Sequence, residues 1–538
     1  MAKTILQLNN REASSFLMKP EQYCTSELPE YFDFSKVLEY AKKSLGNRQL
    51  ESCKTNVTPD SLSGVSLDIL TNKDGKYGVR PLTLPNPFLY TFLVNVICKR
   101  HAWLQIQECF KMYSVSKIKA CAIPVVPDDS KKEPFHKSTS ILNWWSTMEQ
   151  MPIELSLRYR YMFVSDITNC FGQINPQSID WALSRKDTEW ETDDNHGLAH
   201  SIIRLLKAMQ GGRNIGIPQG SALFSFIAEI VLGYADLLLS KAIKDAGITE
   251  DYAVLRYVDD YRIFCNNRDV LEQISYLLQH VLESLNFRMN TSKTSISETI
   301  VADAVKPDKA FYIFNTPIES KKGGIDFDGF QKHLYFIFEF AKRFPNSGQL
   351  KVQLSGFSTR IERYLKPRKN KKSKGKLVLD ENELHECEEP TIFKPKFLEK
   401  IAPMVAIATQ IAVDNVAAAN HALRVVSLLL NAVDDEIIKN ELIDLVYNKL
   451  RHQPNSAYLQ IWLQNITHQV GKTDSFNYDM PLCRLLDGTL TDLWNNDWIL
   501  PEIANNLPYD TICNAEILAK TNRVITFREA RAYTESYS

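Results

Sequence analysis

Tyr257-Val258-Asp259-Asp260 lies between two short apolar runs, Ala253-Val254-Leu255 and Ile263-Phe264. The most economical reading is a strand, a tight turn and a second strand, with Asp259 at the tip and another carboxylate beside it. Desolvating an unpaired carboxylate costs several kcal/mol, so two half-buried acids require a compensating cation. A hard divalent ion suits oxygen ligands, and Mg²⁺ commonly takes one or two carboxylates together with phosphate oxygens. That chemistry points towards phosphoryl transfer on a nucleotide. Four residues alone would equally describe a solvated acidic turn.

Two upstream segments decide between these readings. In Met162-Phe163-Val164-Ser165-Asp166-Ile167-Thr168-Asn169-Cys170-Phe171 an apolar strand ends in an aspartate, and an aromatic follows five residues later. Gly216-Ile217-Pro218-Gln219-Gly220-Ser221 then runs into a helical pattern from Ala222 to Leu239. Asp166 at a strand end and Asp259 at a hairpin tip, side by side in an antiparallel sheet, would hold two metal ions roughly 4 Å apart. That spacing serves both the attacking and the leaving oxygen of an in-line displacement. The Gly-rich turn lets backbone approach a base or sugar, which a side chain at Gly220 would block.

Taken in order, Asp166-Ile167-x-x-Cys170-Phe171, Ile217-Pro218-Gln219-Gly220-Ser221, Tyr257-Val258-Asp259-Asp260 and Asn290-Thr291-Ser292-Lys293-Thr294 resemble motifs A to D of reverse transcriptases. The resemblance runs from about Lys76 to about Thr299, and Gly78-Val79-Arg80-Pro81-Leu82 resembles the fingers arginine motif. It implies an α+β, right-hand polymerase fold of fingers and palm, with an antiparallel palm sheet. Asp166, Asp259 and Asp260 would be the catalytic triad, holding two Mg²⁺ (or Mn²⁺) ions per site. Asp166 and Asp259 would bridge both ions, Asp260 would contribute less directly, and the Ile167 carbonyl would be a further ligand. Arg80 would contact the triphosphate, where a planar fork suits phosphate oxygens. Gln219 would lie near the nucleotide sugar, and Lys293 would steady the triphosphate or aid proton transfer. Phe171 would pack under the sugar and exclude a 2′-hydroxyl, where RNA-copying RNA polymerases place an aspartate. Deoxynucleoside triphosphates are the expected substrates, with RNA, single-stranded DNA or both as partners.

Composition sets the surroundings. The chain has 538 residues, enough for more than one domain, with 44% apolar and 24% charged residues. A net charge of −1 means that phosphate-backbone affinity must come from local basic patches. The 10 cysteines include no Cys-x-x-Cys pair, which suits reduced thiols and a cytosolic compartment. His196 and His200 stand four apart without further ligands nearby, so a solvated face accounts for them. No signal-peptide pattern is expected. The longest apolar run, Ser225 to Leu239, is broken by Glu229 and Asp236, so no membrane association is expected.

Beyond the palm the pattern changes. A single helix is predicted from Pro87 to Phe110, and helical periodicity takes over from about residue 326. The expected division is 1–325 as fingers and palm, and 326–538 as an α-helical repeat (HEAT-like) domain replacing a conventional thumb. Its helices are predicted at Phe397 to Ala412, Val416 to Ala432, Glu436 to Leu450 and Tyr458 to Val470, stacked as a solenoid. The basic run 366–376 is either a nucleic-acid-contacting arm or a solvated insertion.

Several short segments narrow the resemblance. Ser15-Phe16-Leu17, Leu28-Pro29-Glu30-Tyr31-Phe32, Ala228-Glu229-Ile230, Pro345-Asn346-Ser347 and Tyr458-Leu459-Gln460-Ile461-Trp462-Leu463-Gln464 resemble parts of the reverse transcriptases of bacterial abortive-infection and related defence systems. The resemblance implies antiphage defence by DNA synthesis in a bacterial cytoplasm. Synthesis would be templated by a non-coding RNA, primed by a protein tyrosine, or template-independent. A homo-oligomer and a second defence protein are the further partners it implies. Tyr533 and Tyr537, in a polar tail, are the candidate primers. A retron or mobile-element reverse transcriptase, and a non-catalytic nucleic-acid-binding scaffold, are the alternatives.

Overall fold

The structure, a computed structural model, describes residues 3–72, 78–126, 144, 146–184, 193–315, 329–365, 401–468, 476–490, 492–520 and 523–532. The basic run 366–376, Tyr533 and Tyr537 lie outside the described residues.

Helices of eight or more residues are numbered below. The amino-terminal part opens with α1 (Asn10–Leu17) and α2 (Ser35–Leu45). Asn9 accepts the amides of Arg11 and Glu12, while Glu12 accepts the Asn9 amide, a capping box that fixes where α1 starts. A separate hairpin follows: β1 (Leu67–Asn72) pairs antiparallel with β2 (Val79–Leu84), setting Thr71 opposite Arg80.

The single helix expected from Pro87 to Phe110 is two, α3 (Pro87–Ile97) and α4 (Arg100–Tyr113). The chain turns at Lys99, whose ψ is 140°, and the Asn10 side chain takes the Cys98 carbonyl at 3.0 Å. A side chain from α1 thus supplies the bond that a continuing helix would have made. Apolar periodicity could not reveal this, because α3 is buried on nearly every side and α4 on one face.

Five strands form the main sheet in the order β3-β5-β6-β4-β7. They are β3 (Ile118–Ala120), β4 (Tyr161–Asp166), β5 (Tyr252–Tyr257), β6 (Asp260–Cys265) and β7 (Ser295–Ser297). Only β3 and β5 run parallel. Between β4 and β5 come α5 (Pro176–Ser184), α6 (Asp193–Met209) and α7 (Ala222–Asp245); α8 (Arg268–Ser284) follows β6. Ser221 starts α7 by accepting the Phe224 amide at 3.2 Å. By length and composition α7 could cross a membrane, which the sequence reading did not expect. Here it is mostly buried within the main core. The sheet's other face covers a small cluster that includes Met148, Met162, Leu255 and Phe264.

Helices then dominate, from α9 (Pro307–Asn315), α10 (Phe330–Arg343) and α11 (Gly348–Leu365) to α12 (Ile401–Asp414), α13 (Ala419–Asn431), α14 (Glu436–Leu450) and α15 (Ala457–Thr467). The segment predicted from Val416 begins as a 3₁₀ turn, Val416–Ala418, before α13. One hydrophobic core runs from Ile5 to Ala530, so this helical part shares its interior with the amino-terminal part. Backbone bonds stitch the two: Thr55 N donates to Trp498 O (2.8 Å), Asp33 N to Ile512 O (2.9 Å) and Asn514 N to Tyr31 O (2.7 Å).

Candidate active site

β5 and β6 are joined by two residues, Val258 and Asp259, and Tyr257 pairs with Asp260 across the turn. Val258 has a φ of 52°. Primed hairpin turns need that left-handed backbone at their first central position, and an L-residue adopts it at a cost of roughly 1–2 kcal/mol. The turn is fastened on one flank by Ile167, whose amide donates to the Asp259 carbonyl at 3.1 Å. On that flank β4 pairs with β6 so that Asp166 stands directly opposite Asp260. Asp166 and Asp260 therefore meet at one end of the sheet with Asp259 in the turn beside them, and among the described residues no three His, Cys, Asp or Glu side chains are grouped closely enough to hold a metal ion. The direct cross-strand partner of Asp166 is Asp260 rather than Asp259, which occupies the adjoining turn.

Asp166 is 9% exposed. Its Oδ2 accepts from Lys293 Nζ at 3.0 Å, and its Oδ1 is buried with no hydrogen-bond partner. Burial pushes the Asp260 carboxyl above its usual range, Lys306 opposes that, and the Asp166 charge adds to it. Lys306 itself lies 4.4 Å over the Trp144 ring. An orphaned buried acceptor costs about 1–3 kcal/mol. Facing carboxylates, one of them with a bare oxygen, form a donor set that a hard divalent cation fits. Asp166, Asp259 and Asp260 are the residues that would hold it, with the Ile167 carbonyl at hand.

The motif around Lys293 braces Asp166 from the backbone as well. Asn290 N donates to the Asp166 carbonyl at 2.8 Å, and Thr294 Oγ1 lies 2.8 Å from Ser165 Oγ. The 3₁₀ turn Thr291–Lys293 aims the lysine, with Asn290 accepting the Ser292 amide.

Beneath the hairpin lies a cluster that sequence reasoning missed. Arg256, 1% exposed, is forked between two α7 carboxylates. Its Nη1 and Nη2 reach Glu229 at 2.9 and 3.1 Å, and its Nε reaches Asp236 at 2.9 and 3.0 Å. Nη1 also lies 3.4 Å from the Val258 carbonyl, tying the turn to α7. Burial alone would push the guanidinium down, but Asp236 and Glu229 outweigh it and hold the cation well above its ordinary value. Burial raises the Asp236 carboxyl, with Arg256 pulling it back. Two signals were available: Glu229 and Asp236 stand seven apart, on one face of an otherwise apolar helix, and Arg256 is the lone cation in an apolar strand.

A cavity of about 990 Å³ is lined by residues of the β1–β2 hairpin, by Asn169 and Gly172, and by Gln219, and by none of the three acids. Two glycines hold its walls together. Gly216 has φ 55°, and a Cβ there would lie 2.2 Å from the Phe171 carbonyl. Gly220 has φ 120°, and a Cβ there would lie 2.8 Å from the Thr83 carbonyl. Gly220 thus closely approaches strand β2, and Thr83 N donates to Gln219 O at 2.6 Å beside it. Phe171 is half-buried against the core, and its carbonyl accepts the Ile217 amide at 2.8 Å. Arg80 is exposed on β2; its neighbours Val79 and Pro81 line the cavity and Arg80 does not. The structure therefore sets Asp166 against Asp260 and Lys293, joins Ile167 to Asp259 through the backbone, places Gln219 in a cavity that the acids do not line, and leaves Arg80 outside that cavity.

Residues 117–331 match the family described as reverse transcriptase (RNA-dependent DNA polymerase). No curated protein matches the chain. Similar solved structures include a C-terminally truncated apo telomerase from Candida tropicalis, at 15% identity and a TM-score of 0.28, covering 48% of this chain and 54% of that one. Telomerase from Candida albicans, in complex with a fragment of telomeric RNA, is 11% identical with a TM-score of 0.28, covering 71% and 65%. Apo telomerase from Candida tropicalis is 11% identical with a TM-score of 0.29, covering 89% and 73%. The chain thus spans about half the length of the first of these.

Proposed function

We propose that this chain, whose residues 117–331 form a reverse transcriptase domain, is a DNA-synthesising enzyme of bacterial antiphage defence. The domain is that of an RNA-directed DNA polymerase. The observation that carries the catalytic reading is the pairing of Asp166 with Asp260 at the sheet end, with Asp259 in the turn between β5 and β6. In the proposed reaction a primer hydroxyl attacks the α-phosphate of a deoxynucleoside triphosphate and pyrophosphate leaves. Bound Mg²⁺ would supply charge stabilisation at both the attacking and the leaving oxygens. Lys293, already on Asp166, can exchange that carboxylate for a phosphate oxygen. Gln219 lines the cavity that would take the nucleotide. Phe171 offers no acceptor for a 2′-hydroxyl, which favours deoxynucleotides. Arg80 would meet the triphosphate as the β1–β2 hairpin closes.

The defence reading rests on its short sequence signatures, which in the structure are packing segments. Leu28-Pro29-Glu30-Tyr31-Phe32 is the strip on which the carboxyl-terminal segment docks: Phe32 bridges Cys513, and Glu30 N donates to Glu529 at 2.9 Å. Asn346, in the Pro345-Asn346-Ser347 turn, accepts the Ala417 amide and donates its own to Asn415. In this reading residues 326–538 are a helical-repeat domain in place of a thumb, in a cytoplasmic oligomer that takes a non-coding RNA or second protein as partner. Priming from Tyr533 or Tyr537 belongs to the same proposal.

The test is to purify the protein with its accompanying nucleic acid, supply labelled deoxynucleotides and Mg²⁺, and sequence both RNA and DNA product. DNA that copies the bound RNA, and phage protection lost on changing Asp259 and Asp260 to Ala, are expected. Absence of incorporation would reject the enzyme; incorporation without any effect on phage would reject the defence role.

A further inference from the structure

A second cavity, of about 820 Å³, lies outside the carboxylate site, between α1, the end of α2, the α3–α4 junction and α6. Its walls are fixed by side-chain bonds to backbone: Asn10 to the Cys98 carbonyl (3.0 Å) and Asn95 to the Gly46 carbonyl (3.2 Å). Gly46, at φ 50°, makes the turn that ends α2 and brings Arg48 to the rim. Five cations line the cavity, Arg11, Lys42, Arg48, Lys99 and Arg204, against one carboxylate, Glu51. Lys54 and Arg204 both bind Glu51 and hold its carboxyl below its usual range. Arg11, Lys42, Arg48 and Lys99 are exposed, and no ion pair within the described residues engages them. Burial pushes the Cys98 thiol up to about 12, and the nearby Lys42 charge pulls it back, which ties Lys42 to the same wall.

In a chain of net charge −1 this is a concentrated positive concavity, the shape that focuses field and draws in anions. Its position says which anion. Ser201, Arg204 and Leu205 of α6 line this cavity, while Met209 and Gln210, at the end of that helix, line the cavity that Gln219 also lines. Leu205 and Met209 are four residues apart, about 6 Å along the axis. The two cavities thus lie at successive turns of α6.

We propose that this basic cavity binds the phosphate backbone of single-stranded RNA running on from the polymerase cavity, an inference that rests on the reverse transcriptase reading. The cations hold phosphates rather than bases, so binding is sequence-independent and salt-sensitive.

The test is fluorescence anisotropy on the full chain with an oligouridylate and an oligodeoxythymidylate of equal length, across a salt series. Each phosphate contact to a single strand contributes roughly 0.7 to the slope of log K against log salt. Combined Lys42→Gln, Arg48→Gln and Lys99→Gln should lower that slope by about 2 for RNA, with circular dichroism unchanged. Glu51→Gln, which releases Arg204, should steepen it. The same loss with the deoxy oligomer assigns recognition to phosphate alone; a loss with RNA only adds the ribose. An unchanged slope in the triple variant, or no steepening in Glu51→Gln, overturns the proposal. Binding with the full slope but no DNA synthesis would defeat the polymerase reading and leave the groove standing.

Discussion

Two charge clusters share one hairpin. At Arg256 a guanidinium, 1% exposed, is gripped by two buried carboxylates, and every charge has an opposite within 3.1 Å. At Asp260, four residues on, a carboxyl faces Asp166 across the sheet, and Asp166 keeps a buried oxygen with no partner. The backbone is the same; the electrostatic accounts are opposite. A cluster that satisfies itself holds the fold, whereas the facing acids are only partly compensated, by Lys293 on one Asp166 oxygen and by the Lys306 charge near Asp260. That difference separates the scaffold from the chemistry, and it can be probed by removing each cluster in turn.

The largest effect expected is on activity. Asp259→Ala with Asp260→Ala should take deoxynucleotide incorporation to background while the thermal midpoint stays at or above the parental value, since facing carboxylates repel. A fallen midpoint would mean that these acids support the fold after all. Arg256→Leu should do the reverse. It leaves Glu229 and Asp236 buried without a cation, at a cost of about 3–5 kcal/mol in urea unfolding. Adding Glu229→Gln and Asp236→Asn should recover most of that loss. Without recovery, the cluster is not an electrostatic unit.

Smaller effects sharpen the boundary between the two clusters. Lys293→Met should slow incorporation roughly a hundredfold, the low end of proton-transfer catalysis, with stability unchanged. Gly220→Ala forces a Cβ against the Thr83 carbonyl and should raise KM for nucleotide more than it lowers kcat, as the β1–β2 hairpin is displaced. Phe171→Ala should change only selectivity, letting ribonucleotides compete with deoxynucleotides. Unaltered sugar preference would remove Phe171 from that role.

Much of the carboxylate end of the sheet is legible in the chain because it is built from local patterns. An apolar run ending in Asp166, a two-residue turn between apolar runs and a Gly-rich stretch before a long helix each declare themselves within about ten residues. Glu229 and Asp236 were visible too, but only as interruptions of an apolar helix. Their partner Arg256 is 20 and 27 residues away, and no periodicity links a helix face to one strand position. The break at Cys98-Lys99 depended on Asn10, 88 residues upstream. Gly220 was legible as a close-approach glycine, but nothing local showed that Thr83, 137 residues upstream, is a neighbour.

Spacing and periodicity in the chain determined which acids could act together, which stretches become strand or helix, and that positive surface must be local rather than general. Those properties depend on neighbours a few residues apart, where backbone geometry is the only variable. Tertiary structure alone decided that Asp260 rather than Asp259 faces Asp166, that Arg256 closes a buried ion pair under the turn, and that cations from four separate segments surround one cavity. Each of these is a meeting of distant segments, set by packing of a shared core rather than by any local preference.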